Sequence, residues 1–147
     1  MIDDHAFCYS KKVMEYTAEI KFVNSFITKS RRERLLFELA HAHKRDQGLN
    51  RFCHQSKELL DQKKIFAEGY DLEQLDEFRD FVESHEDICY VVSPDFRLDE
   101  KFMPLKEAVE KALMCMDAVL IIGNEYAVVF GEAMKGGRDK FLLYDQK

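Results

Sequence analysis

Two apolar runs set back to back, "AVLIIGNEYAVVFGE" from Ala118 to Glu132, constrain this chain more than any other stretch. Both are rich in β-branched residues, and the Gly123-Asn124 pair between them is a hairpin turn signal. The direct reading is an antiparallel hairpin of Ala118–Ile122 and Tyr126–Phe130. A helix running on from Pro104 through Ala118 and Leu120 is the competing reading, and Asp117 and the β-branched run oppose it.

Further strand signals surround the hairpin. "DICYVVS" is β-branched and aromatic, and it stops at Pro94. "MKGGRD" turns the chain into "KFLLY", with glycines that supply positive φ, and "KIFAEGY" reads as a short edge strand. No GxxxxGK[ST] or GxGxxG pattern makes "KGGRDK" a phosphate cradle. If "KFLLY" lies at a sheet edge, it is open to pairing with a second copy, guarded by Lys135, Arg138 and Lys140. A homodimer is the expectation.

Helical patterns precede these strands. Ser30 with Glu33 three residues on is a capping-box pattern, and Leu36, Leu39, Ala40 and His43 recur at helical spacing. The first helix is read from Arg31 to Gln47, closed by Gly48 in a left-handed C′ conformation. Asn50 then caps a second helix, Arg51 to Lys63, with Phe52, Cys53, Leu59 and Leu60 inside. Asp71 and Gln74 start a third helix, which buries Leu72, Leu75, Phe78 and Val82 and leaves Glu73, Glu77, Asp80 and Glu83 to solvent. Pro104 opens a fourth, to Met116, with Leu105, Val109, Ala112 and Met116 inward and a Glu107–Lys111 pair outside. Residues 1–28 read two ways: "MEYTAEIKF" alternates like a strand, yet Tyr16, Ile20, Val23 and Ile27 also form a helical stripe, and the reading leans to helix. Leu36, Leu39, Phe78, Val109, Ile121 and Val129 are the expected core.

The fold class that results is α+β: N-terminal helices, including a helical hairpin, packed on a small, mostly antiparallel sheet formed mainly by the C-terminal half. At 147 residues, with 46% hydrophobic and 34% charged residues, the chain suits one domain spanning 1–147 and excludes the disordered and fibrous classes. "MIDDHAFCYSKK" carries acids where a signal peptide carries lysines, and "AVLII" is far shorter than the roughly 20 residues that cross a bilayer. A cytoplasmic protein without a membrane partner is expected. Cys8, Cys53, Cys89 and Cys115 contain no CxxC pair and read as free thiols.

"HAHKRDQGLNRFCHQS", His41 to Ser56, concentrates the reactive side chains. On a helix His41 and His43 point to nearly opposite sides, whereas helical metal pairs sit three or four apart. Cys53 and His54 are adjacent and share the difficulty; a His43–Cys53 zinc site lacks a third and fourth ligand. No metal and no cofactor are expected. His43 is read as buried, His41 and His54 as exposed. Cys8, with His5 three residues before it, is a possible reactive thiol, but no local signature joins any cysteine to a base, and no GxSxG is present.

Charge is segregated. Residues 29–64 hold ten basic against five acidic side chains, and residues 65–132 hold five against seventeen. Arg31, Arg34, Lys44, Arg45 and Arg51 are the candidate binding residues, for an acidic protein partner. The contrary reading pairs them with the acidic half inside the fold. Nucleic-acid binding through this hairpin is a lesser alternative, opposed by a pI near 5.4 and by the absence of any nucleic-acid motif. The expected function is a small non-enzymatic interaction or regulatory domain, binding a protein partner or itself. Its rival is a hydrolase or metal-dependent enzyme whose active site is assembled from distant positions.

Overall fold

A computed structural model describes residues 17–134 and 137–145. Six strands form one sheet in the order β1-β6-β5-β4-β2-β3, with every neighbouring pair antiparallel. They are β1 (Ile65–Glu68), β2 (Ile88–Val92), β3 (Lys101–Pro104), β4 (Val119–Ile122), β5 (Tyr126–Phe130) and β6 (Lys140–Tyr144). The hairpin read from the sequence is present as β4 and β5, in the register Val119↔Phe130 to Ile122↔Ala127.

The continuous apolar runs have a simple cause. The sheet is covered on both faces, so neither side of a central strand meets water. Tyr90, Leu120, Val129 and Phe141 face a helical layer of α1 (17–26), α2 (Arg32–Ala40) and α3 (Ala42–Leu59). Cys89, Ile121, Val128 and Leu142 face α4 (Asp76–Ser84) and α5 (Leu105–Met114). The α+β class holds, with five α-helices among the described residues and the sheet drawn mainly from the C-terminal half. Residues 17–26 are helical, with Phe22, Val23 and Phe26 on the inner stripe; the rest of the N-terminal reading, with His5 and Cys8, lies outside the described residues.

The helical hairpin exists, but its turn is misplaced in the sequence reading. α2 ends at His41, whose φ of −110° and ψ of 116° leave the helix. The His41 imidazole donates from Nδ1 to Phe37 O at 2.7 Å, satisfying a carbonyl that the broken helix would have left open. α3 then runs straight through Gly48 and Asn50, so neither is a cap. Gly48 is there for proximity: a β-carbon at this position would stand 2.9 Å from Glu38 Cβ on α2. The capping box is not used either. Lys29–Arg31 forms a 3-10 turn, and α2 starts without a side-chain cap. Thr28 N–H donates instead to Leu59 O, and Arg32 Nε to Ile27 O, so tertiary ties replace the local motif.

Other boundaries move for similar reasons. Leu72–Gln74 is a separate 3-10 turn before α4, and Glu73 is drawn into an ion pair with the buried Lys140 at 2.7 Å. α5 begins after Pro104 and carries the Glu107–Lys111 pair at 3.1 Å, but it stops at Met114, which leaves Met116 72% exposed and outside the core. Phe78, Val109, Ile121 and Val129 are buried as expected, whereas Leu36 and Leu39 are half-buried and Leu35 takes the inner position. β6 is an interior strand because β1 pairs along it, so the route to a dimer through "KFLLY" is closed. Arg138 and Lys140 are buried and guard no edge. No helix among the described residues is long and apolar enough to cross a membrane.

Candidate functional site

The five basic candidates do not form one open patch. Arg31 and Arg34 are exposed, with Arg34 Nε 3.2 Å from Glu38. Lys44 is half-buried. Arg51 is turned inward and ion-paired with Glu38. Arg45 is also turned inward, 2.7 Å from Glu19, 3.3 Å from Asp99 and 3.9 Å from Glu100. Burial pushes the Glu19 carboxyl up, against the pull of Arg45. Arg45 thus ties α1 and α3 to the loop after β2, through two carboxylates of the acidic half. His43 is exposed and not buried, because the break at His41 resets the phase of α3. His41 and His54 are exposed as read.

The registers place most of the loops at one end of the sheet. The segments after β1, before β4, between β2 and β3, and between β5 and β6 all emerge there, whereas the β4–β5 turn lies at the other end. Two hollows open at this end, one on each face of the sheet.

The first is a cleft of about 480 Å³ between the last turns of α3 and the β5–β6 loop. Its size falls in the range of small-ligand sites. α3 is irregular beside it, with Gln55 at φ −125° and ψ 24°. His54 Nδ1 lies 3.2 Å from Glu132 Oε2, a pair of groups far apart in sequence. Met134 and Gly137 exchange backbone hydrogen bonds at 3.1 and 3.0 Å, and Gly137 has a φ of 131°. The glycine turn read from "KGGRDK" is therefore real at Gly137, while Lys135 lies outside the described residues.

The second hollow, of about 320 Å³, opens on Asp95, Arg97 and Cys115. Ser93 locks the loop after β2: its hydroxyl donates to Ala118 O at 2.7 Å and accepts from Asp95 N–H at 3.1 Å. The Arg97 guanidinium, and after it the Arg97 backbone N–H, holds the Asp95 carboxyl well below the usual carboxylate range. Arg138 locks the opposite wall. Its guanidinium donates to Gly131 O, Ala112 O and Asp117 O at 2.6, 2.8 and 2.7 Å, and so fastens the end of α5 to both adjoining loops. Around this rigid frame stand Phe96, Met114 and Met116, which are 84%, 88% and 72% exposed.

The chemistry available is modest. Asp95, Cys115 and Asp117 bring three donor atoms within 4.8 Å of one another, but the Asp95 carboxylate is already engaged by Arg97 at 2.8 Å and by the Cys115 thiol at 3.4 Å. Burial, reinforced by Glu132 and Asp117, pushes the Cys53 thiol up to about 12, and burial also raises the Cys115 thiol. Both are thiols, not thiolates, at neutral pH, and a thiolate is what nucleophilic cysteine chemistry needs. Sequence reasoning missed Phe96 and Met114 and placed Met116 inside, because exposure at a helix end depends on where the helix stops. It also missed Tyr70 and Glu132, whose partners lie far along the chain. The one local signal was "SPDFR", a Ser-Pro-Asp turn. No protein-family model, curated protein or solved structure matches this chain, so its function has to be read from its geometry.

Proposed function

We propose that this chain is a small non-enzymatic interaction domain that works by self-association, with a second copy docking on the apolar rim around Asp95 and Cys115. One observation carries the reading: Phe96, Met114 and Met116 stand 84%, 88% and 72% exposed, on the loop after β2 and at and just beyond the end of α5, which buried hydrogen bonds hold in place. Met114 lines the hollow, and Phe96 and Met116 adjoin its lining residues in the chain; large exposed apolar groups around one hollow suit an interaction surface, and methionine adapts its shape to what covers it. A rigid frame beneath them lowers the ordering cost of association.

The charges beside the rim support a second copy as the occupant. Arg97 pairs with Asp95 and Lys111 with Glu107, so both signs flank the apolar centre. Such a surface can meet itself across a two-fold axis with opposite charges opposed. The free thiols at Cys53, Cys89 and Cys115 support a reducing, cytoplasmic setting. The raised thiols weigh against a cysteine nucleophile within the rival reading of a hydrolase or metal-dependent enzyme.

Light scattering over a range of concentrations tests the proposal. The unmodified chain should approach twice its 17.3 kDa mass, while Met114→Glu and Phe96→Ser should return it to 17.3 kDa with an unchanged thermal midpoint. A mass of 17.3 kDa for the unmodified chain throughout, or a dimer that survives both substitutions, refutes it.

A further inference from the structure

The cleft between α3 and the β5–β6 loop lies on the other face of the sheet from the apolar rim and does not depend on it. Its walls combine three features. The first is an aromatic platform. Tyr70 is 59% exposed, yet its backbone is fixed by Lys140 Nζ, which donates to Tyr70 O at 2.5 Å. Its ring is braced by Gly137, where an added β-carbon would lie 2.5 Å from the ring. The second is unbalanced negative charge. Among the described residues Glu58, Glu132 and Asp139 line the cleft with Lys57 and with His54, which pairs with Glu132, and neither Glu58 nor Asp139 has an ion-pair partner there. Cys53, in the same wall, has its thiol pushed up by burial and then by Glu132, the effect of a negative field. The third is a hydroxyl with no protein partner. Ser56 lines the cleft and is only 4% exposed, and its hydroxyl makes no hydrogen bond among the described residues.

An anion would meet repulsion from the carboxylates, and a purely apolar ligand would strand the Ser56 hydroxyl. A cation with several N–H donors satisfies all three features. Carboxylates take its charge, a hydroxyl oxygen accepts one donor, and the face of a tyrosine attracts it within about 6 Å of the ring centre. We infer that the cleft binds a ligand carrying a primary ammonium group, either a free diamine or the lysine side chain of a peptide.

Titration calorimetry on the full chain tests this with two probes, 1,5-diaminopentane and Nα-acetyl-lysine N-methylamide, and with glutarate as the anionic control. At least one amine should bind saturably and lose affinity as salt is added. Tyr70→Ala, the pair Glu132→Gln with Asp139→Asn, and Ser56→Ala should each weaken it, the first two at least tenfold. Tyr70 and Asp139 are exposed and Glu132 is half-buried, so thermal midpoints of the first two variants should match the parent and keep the test sound if Ser56→Ala unfolds. Preference for the diamine assigns a free amine, and preference for the lysine derivative assigns a peptide. Absence of binding by both amines, binding indifferent to Tyr70→Ala and to the carboxylate pair, or equal binding of glutarate overturns the inference.

Discussion

Replacing Gly48 by alanine sets two known effects against each other, and the structure says which wins. In a helix interior, alanine is favoured over glycine by about 1 kcal/mol. Gly48 lies inside α3, so propensity alone predicts stabilisation. The new β-carbon, however, would stand 2.9 Å from Glu38 Cβ, whereas carbon atoms pack best at about 3.5–4.0 Å. Neither atom is the tip of a flexible side chain; both are carried directly on helix backbones. Relief requires α2 to move, and α2 is held there by Leu35, which is 2% exposed, and by the Glu38–Arg51 pair. Overpacking of this kind costs about 1–3 kcal/mol. Subtracting the propensity gain leaves a net loss of about 0–2 kcal/mol for Gly48→Ala. Glu38→Gly removes the opposing β-carbon, so in that background Gly48→Ala should stabilise by about 1 kcal/mol. Urea unfolding of the parent, both single variants and the double variant closes the cycle, and the coupling should exceed about 0.5 kcal/mol. An equal gain from Gly48→Ala in both backgrounds would refute the close approach of α2 and α3.

Arg138→Lys should destabilise the chain by roughly 2–4 kcal/mol in urea, because a compact ammonium cannot reach three diverging carbonyls as a planar fork does; a loss below about 0.5 kcal/mol would contradict this role. Asp95 has a folded pKa below its unfolded value, so its contribution to stability is present above about pH 4 and disappears as the pH falls further. The stability gap between the parent and Asp95→Asn should therefore narrow between pH 5 and pH 2.5, and a constant gap would argue that the carboxylate charge is immaterial. With its thiol raised to about 12, Cys53 should be alkylated by iodoacetamide at pH 8 at least a hundredfold more slowly in the folded chain than in urea. The same shift withdraws stability as the pH climbs from about 9 towards 12. Peptide mapping that finds folded-state labelling of Cys53 within tenfold of the unfolded rate would count against its burial.

What the sequence determined by itself is what a few neighbouring residues settle among themselves. The β4–β5 hairpin follows from two β-branched runs around a glycine turn, α5 begins where Pro104 allows it, and Glu107 meets Lys111 because four residues make about one helical turn. The α+β class follows from the order of such elements. Tertiary structure decided wherever a local preference had a distant competitor. Gly48 looked like a helix stop, yet nothing ends α3 there, and the missing side chain serves the approach of α2 instead. "KFLLY" looked like an edge, and β1, from far earlier in the chain, closed it. The basic run looked like a docking surface, but Arg45 found Glu19, Asp99 and Glu100, and Arg51 found Glu38. Phe96, Met114, Met116 and the walls of the polar cleft became visible only after the chain had packed. Propensity and turn chemistry act over a handful of residues, whereas exposure, charge pairing and cavities are set by groups that folding brings together from anywhere along the chain.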